Sequence, residues 1–169
     1  MADTVRINGQ TYNWSSVYLT INGVSFFGVT EINWDEKLER AFGYGLGKHY
    51  SPQQRTAGKY TPDPMKLVVL ATAEETFNDI LLGALTDQGY AGSVSLGKAE
   101  VTIQVTYDET GLGPVTLVAI GAALEHRGGA FKEGPDVLSC PADFSVMRYV
   151  RTVNGKVTTL WDSDETGPV

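Results

Sequence analysis

Residues 17–34 read VYLTINGVSFFGVTEINW, and the pair near the middle, Asn22-Gly23, decides the fold class. An Asn-Gly dipeptide is the strongest short hairpin signal, because both residues accept the positive φ that a two-residue turn between strands requires. The flanking runs, VYLTI and VSFFGVTEINW, are rich in β-branched and aromatic residues and are expected to be strands. The same signal recurs at Asn154-Gly155, which joins FSVMRYVRT to KVTTLW. Between the two hairpins, EVTIQVTY at 100–107 alternates Val101, Ile103, Val105 and Tyr107 with Thr102, Gln104 and Thr106. That pattern predicts a strand with one buried and one polar face. VTLVAIGAAL at 115–124 is more continuously apolar and reads as a strand covered on both sides.

Helical spacing is confined to one segment. Thr72 and Glu75 have the spacing of a capping box, after which Phe77, Ile80, Leu81, Ala84 and Leu85 recur on one face until Gly89. One amphipathic helix has one stripe to bury, most simply against a sheet. The fold class expected is therefore mainly β with one α-helix.

The 169 residues fit a single domain, and a chain of that size buries about 70% of the surface its unfolded form exposes. No apolar run approaches the roughly 20 residues of a membrane-spanning helix. The start, MADTVRINGQTYNW, lacks the pattern of a secretory signal, and the single cysteine, Cys140, precludes an intramolecular disulfide; both fit folding in the cytosol. A net charge of −7 is the wrong sign for gripping a phosphate backbone.

The stretch GYGLGKHYSPQQRTAGKY, residues 43–60, poses the sharpest functional question. A phosphate-binding Walker loop needs glycine where Phe42 stands and serine or threonine where His49 stands. A dinucleotide fingerprint starting at Gly43 needs glycine where Lys48 stands, and no helix begins there. The loop at about 43–62 is too long for a simple connection, while Tyr44, Leu46, Tyr50 and Tyr60 give it surface to pack on something. It reads as an arm.

No metal-binding spacing involves His49, His126 or Cys140, and no nucleophile elbow is present, so no catalytic residue, cofactor or metal site is expected. The acidic cluster Glu31, Asp35, Glu36 and Glu39 is interleaved with Lys37 and Arg40 and reads as a solvated face. Little in VSFFGVTEINW or TIQVTY blunts a sheet edge, which favours lateral pairing between copies. A different class, a monomeric carbohydrate- or peptide-binding β-sandwich using Trp14, Trp34 and Trp161 as a stacking platform, has little use for so long an arm.

The run from Val17 to Val69 resembles tail tube proteins of long-tailed bacteriophages, through its ING turn, Arg40, the GYG of 43–45, Arg55-Thr56, Gly58 and Tyr60. Later segments agree in order: the helix with Phe77 and Leu81, Gly89-Tyr90, VTIQVTY, and VRTVNGKVTTLWD. The resemblance implies two packed antiparallel sheets, a β-sandwich or half-barrel flanked by the helix. It implies that these join into a continuous barrel in a hexameric ring, and that rings stack into a tube.

Residues 1–169 would form one tail-tube domain. Its inter-subunit arm would present Tyr44, Leu46, Lys48, Tyr50, Arg55, Lys59 and Tyr60. Glu31, Lys37, Glu39, Thr102, Gln104 and Thr106 are the candidate lumen residues. The implied partners are copies of the chain itself, a tape-measure protein, a tail terminator, baseplate or tip proteins and, in a contractile machine, a sheath. DNA would pass through without specific binding, the particle being a virion assembled in the host cytoplasm. A tube or hub of a phage-like contractile injection system is the alternative.

Overall fold

The computed structural model describes residues 4–13, 17–44, 54–56, 58–109, 113–129 and 138–160. Three Asn-Gly turns organise the hairpins. Asn8-Gly9 joins β1 (Thr4–Ile7) to β2 (Gln10–Asn13), and Asn22-Gly23 joins β3 (Val17–Ile21) to β4 (Val24–Ser25). Asn154-Gly155 joins β14 (Arg148–Val153) to β15 (Lys156–Val157). All six turn residues have positive φ, the asparagines at 47° to 53° and the glycines at 79° to 82°. This is the geometry whose twist matches the flanking strands.

VSFFGVTEINW is not one strand. It splits into β4 and β5 (Val29–Asn33), because Phe26 turns into the core and Gly28 passes against the start of the helix. Next come β6 (Glu36–Glu39), β7 (Phe42–Gly43), β8 (Gln54–Arg55), β9 (Lys59–Pro62) and β10 (Met65–Leu70). A 3-10 turn, Ala71–Ala73, leads into α1 (Glu74–Asp87). Thr72 lies within that turn, so the expected capping box does not form: the N-cap is Ala73, with no side-chain cap. The other end follows expectation, with the N–H of Gly89 bonded to Thr86 O and that of Tyr90 to Leu85 O, a Schellman stop.

The last long strands are β11 (Glu100–Glu109), β12 (Gly113–Arg127) and β13 (Ser139–Ser145). β12 is the spine. Its first half, Val115–Ile120, runs beside β14, and its second half, from Ala123, runs beside β13. Two of its three ladders carry register shifts: that with β11, between Val101 and Ile103, falls opposite Gly121, whose φ is +68°, and that with β13 falls just beyond it, between Leu124 and His126. A bulge with a left-handed glycine bends a strand sharply.

One hydrogen-bonded sheet of eleven strands therefore curls into two halves. One comprises β2, β1, β5, β10, β13 and the end of β12; the other comprises β4, β3, β11, the start of β12, β14 and β15. Among the described residues every pairing is antiparallel except β1 with β5. The buried faces of both halves share one core with Phe77, Leu81, Ala84 and Leu85 of α1. Phe77 bridges it, 5.7 Å from the Phe26 ring and 5.9 Å from that of Phe144. Each such fully buried side chain stabilises the fold by about 1.5–3 kcal/mol.

Two expectations are corrected here. β12 alternates buried with half-exposed residues rather than being covered on both sides. VTIQVTY and VTEIN are not sheet edges, since β11 lies between β3 and β12, and β5 between β1 and β10.

Candidate functional site

The arm region begins as a β-ribbon rather than a loop. β6 pairs with β9 from Glu36↔Pro62 to Glu39↔Lys59, and β7 pairs with β8 through Phe42↔Arg55 and Gly43↔Gln54. Between the two ladders Ala41 and Thr56 clasp each other: Thr56 N donates to Ala41 O, and Ala41 N to Thr56 Oγ1, both at 2.9 Å.

The ribbon is bolted to the body at its base. The Tyr60 hydroxyl donates to Glu36 Oε2 at 2.6 Å and accepts from the backbone N–H of Tyr149 in β14 at 3.1 Å. The Tyr149 hydroxyl donates to Asp63 O at 2.7 Å, and its ring packs 5.4 Å from that of Trp34. Burial, and for Tyr60 next the bond to Glu36, push both phenols well above their usual range, so both stay protonated donors.

Of the expected arm residues, Tyr44 stands at the outer end of the described ribbon, 64% exposed. Arg55 is exposed opposite Phe42, and Lys59 is exposed opposite Glu39. Tyr60 is instead half-buried in the bolt. Leu46, Lys48 and Tyr50 lie outside the described residues, as does His49. Phe42, 55% exposed, escaped the sequence reading although it adjoins the GYG run.

The second candidate surface is the outer face of the half-sheet β3–β11–β12–β14. Register places Gln104 beside Thr20 and Val118, and Thr106 beside Tyr18 and Thr116, with Thr152 beyond Thr116. Thr102 and Gln104 are exposed and Thr106 is half-exposed, so these three candidate lumen residues share one open, hydroxyl-rich face. The other three do not join them. Glu31 lies half-buried on β5 in the other half-sheet, accepting from Asn33 Nδ2 at 3.0 Å. Lys37 and Glu39 sit on the ribbon, with Lys37 Nζ 3.6 Å from Glu39 Oε1.

Among the described residues the charged side chains of the open face are Glu100, Asp108 and Arg148. More acid sits on α1, which contains Glu74, Glu75, Asp79 and Asp87 and no lysine or arginine. The outer flank of the half-sheet is lightly covered. β4 pairs with Thr20 and Ile21 of β3 and the Phe26 N–H bonds Leu19 O at 3.0 Å, leaving Val17 and Tyr18 without a strand beside them there among the described residues. On the opposite side β15 pairs only with Thr152 and Val153 of β14.

No protein-family model matches the sequence, and no curated protein matches it. Solved structures do match the fold. A chain from the six-fold symmetrised baseplate of the anti-feeding prophage superposes with a TM-score of 0.53 at 10% identity, covering 80% of this chain and 90% of that one. A chain of the sheath–tube complex of an extracellular contractile injection system gives 0.52 at 11%, covering 82% and 88%. A chain from the anti-feeding prophage's tube-terminating cap gives 0.52 at 14%, covering 82% and 88%. The chain has the tail-tube fold. Within that fold the ribbon and the open half-sheet are surfaces left over after the core is complete. Among the described residues no group of three His, Cys, Asp or Glu side chains could hold a metal.

Proposed function

We propose that this chain is the structural subunit of a tube, acting as one domain over 1–169 with the ribbon as its inter-subunit arm. Copies close a hexameric ring and rings stack. The observation that carries the reading is the half-sheet β3–β11–β12–β14, polar on its outer face and lightly covered along β3. A polar sheet face opposite a packed core, with an open strand flank at one side, is the arrangement that strand addition between copies turns into a closed barrel.

In this reading Thr102, Gln104 and Thr106 line the channel with Thr20, Thr116 and Thr152. Glu31 belongs to the outside, and Lys37 and Glu39 to the ribbon. The channel wall is hydroxyl-rich and mildly acidic, with Glu100 and Asp108 against Arg148 in each copy. It presents a polyanion with no net positive charge to hold it. A bacteriophage tail tube passing DNA at ejection, and enclosing a tape-measure protein before that, is compatible with such a wall.

The tube of a contractile injection particle is the second reading, favoured by the origin of the similar structures in such assemblies. Terminator, baseplate and sheath proteins would be partners at the tube's ends and exterior. Electron microscopy of concentrated purified protein tests the tube itself: uniform rings or tubes support it, and a monomer across wide ranges of concentration and salt sinks it. Neighbouring genes separate the machines, capsid genes pointing to a phage and their absence beside a sheath gene to an injection particle.

A further inference from the structure

We propose that the β7–β8 section of one copy's ribbon docks on the exposed face of helix α1 of another copy, with Phe42 seated over Gly83 and Arg55 against Asp79 and Asp87. This contact rests on the tube reading and names the surface that receives the arm.

The helix face is unusual for an isolated subunit. Gly83 lies mid-helix, is exposed, and has nothing within 4 Å of the position a Cβ would occupy. Neither packing nor a positive φ requires glycine there, and glycine weakens a helix interior relative to alanine. Asp87, four residues on, is an acid in the last turn, where the helix dipole favours cations. Asp79, four residues back, completes a row in which a bare backbone lies between two carboxylates. Among the described residues no lysine or arginine makes an ion pair with Asp79 or Asp87. Local choices that cost the monomer are expected where a partner repays them.

The β7–β8 section of the ribbon has the complementary chemistry. Phe42 is 55% exposed and directly opposite Arg55, so an aromatic ring and a guanidinium share one face of the ribbon. A flat ring fits where a side chain is missing, and the guanidinium beside it meets the acids. In a ring each copy gives its ribbon to one neighbour and receives the ribbon of the other, which makes the contact heterologous. Such contacts propagate into rings or stacks rather than stopping at a dimer.

The test uses the full chain and follows assembly by sedimentation. Arg55→Glu alone and Asp79→Arg with Asp87→Arg should each raise the concentration at which assembly begins by about tenfold or more. Combining all three substitutions in one chain should bring it back to within about threefold of wild type. Gly83→Ala should raise the melting temperature of the monomer yet weaken assembly, a combination that a purely structural role would not produce. Phe42→Cys and Gly83→Cys in separate chains should form a mixed disulfide in assembled material only. Charge reversals that leave assembly unchanged, or an assembled mixture with no disulfide, would overturn the docking while tubes in the same samples leave the tube reading standing. Wild-type protein that never assembles overturns both.

Discussion

The Tyr60 hydroxyl accepts the backbone N–H of Tyr149 across 89 residues of sequence, at 3.1 Å. The same oxygen donates to Glu36 at 2.6 Å, so one phenol fixes the ribbon's base to β14. Tyr60→Phe keeps the ring but strips the N–H of its acceptor and the carboxylate of its donor. We expect a loss of about 1–3 kcal/mol in urea unfolding, the cost of leaving such groups unsatisfied, at the lower end because the site is only partly buried. Amide exchange at Tyr149 should quicken. Unchanged stability and exchange would mean that the bolt contributes nothing.

Alkaline pH probes the same region by another route. Burial raises Tyr60 and Tyr149 above the ordinary 10.0, and burial, then the Glu74 carboxylate that accepts the Cys140 thiol at 3.4 Å, raises Cys140 above 9.0. Each group holds its proton more tightly when folded, so the unfolded chain ionises first. The associated stability is complete below 9.0, begins to fall above it as unfolded thiol ionises, and falls faster above 10.0. The urea midpoint should follow that course, and Cys140→Ala should remove the first part of the decline. A midpoint that rose above 9.0 would contradict the sign.

Two glycines hold the bend and the helix entry, and their costs should differ in kind. A Cβ at Gly28 would lie 2.2 Å from Ala73 Cβ and 3.0 Å from Phe26 Cζ, neither of which can swing clear. Gly28→Ala should cost about 1–3 kcal/mol through overpacking, and Ala73→Gly should recover much of it because glycine is accepted at an N-cap. At Gly121 the near atoms are Met147 Cγ at 2.5 Å, which can rotate away, and Met147 Cβ at 3.0 Å, which moves only with its backbone, so the penalty of φ +68°, about 1–2 kcal/mol, is a lower bound. Denaturant titration of the Gly28 pair decides: strictly additive effects would refute the contact.

These positions also mark how far the sequence could be read. The turns were legible because Asn-Gly has one cheap conformation, and Asn8-Gly9 was missed only because its flanking runs, VRI and QTYN, are short and mixed. The faces of β11 were legible because period-2 alternation does not depend on neighbours. The break at Phe26–Gly28 was not, since it depends on Ala73, far away in sequence. Nor was the ribbon: EKLE and KYTP lack an apolar face, and they pair through a connection that pattern alone reads as loop. Tyr60 looked like an arm anchor because its partners, Glu36 and Tyr149, come from two other strands.

Which face lines the channel can be decided by charge. Gln104 sits at the centre of the open half-sheet, and Glu31 on the other half. If the proposed tube forms, Gln104→Lys places a ring of cations inside it at every subunit layer, and DNA entering such a channel should be retained at low salt. Retention should weaken steeply as salt rises from about 50 to 200 mM, because each phosphate contact releases counterions. Retained DNA should resist nuclease, which cannot follow it into the channel. Glu31→Lys tubes should instead bind DNA on their exterior, where nuclease digests it. Digestible DNA on Gln104→Lys tubes, with protected DNA in Glu31→Lys tubes, would reverse the assignment and turn the sheet inside out.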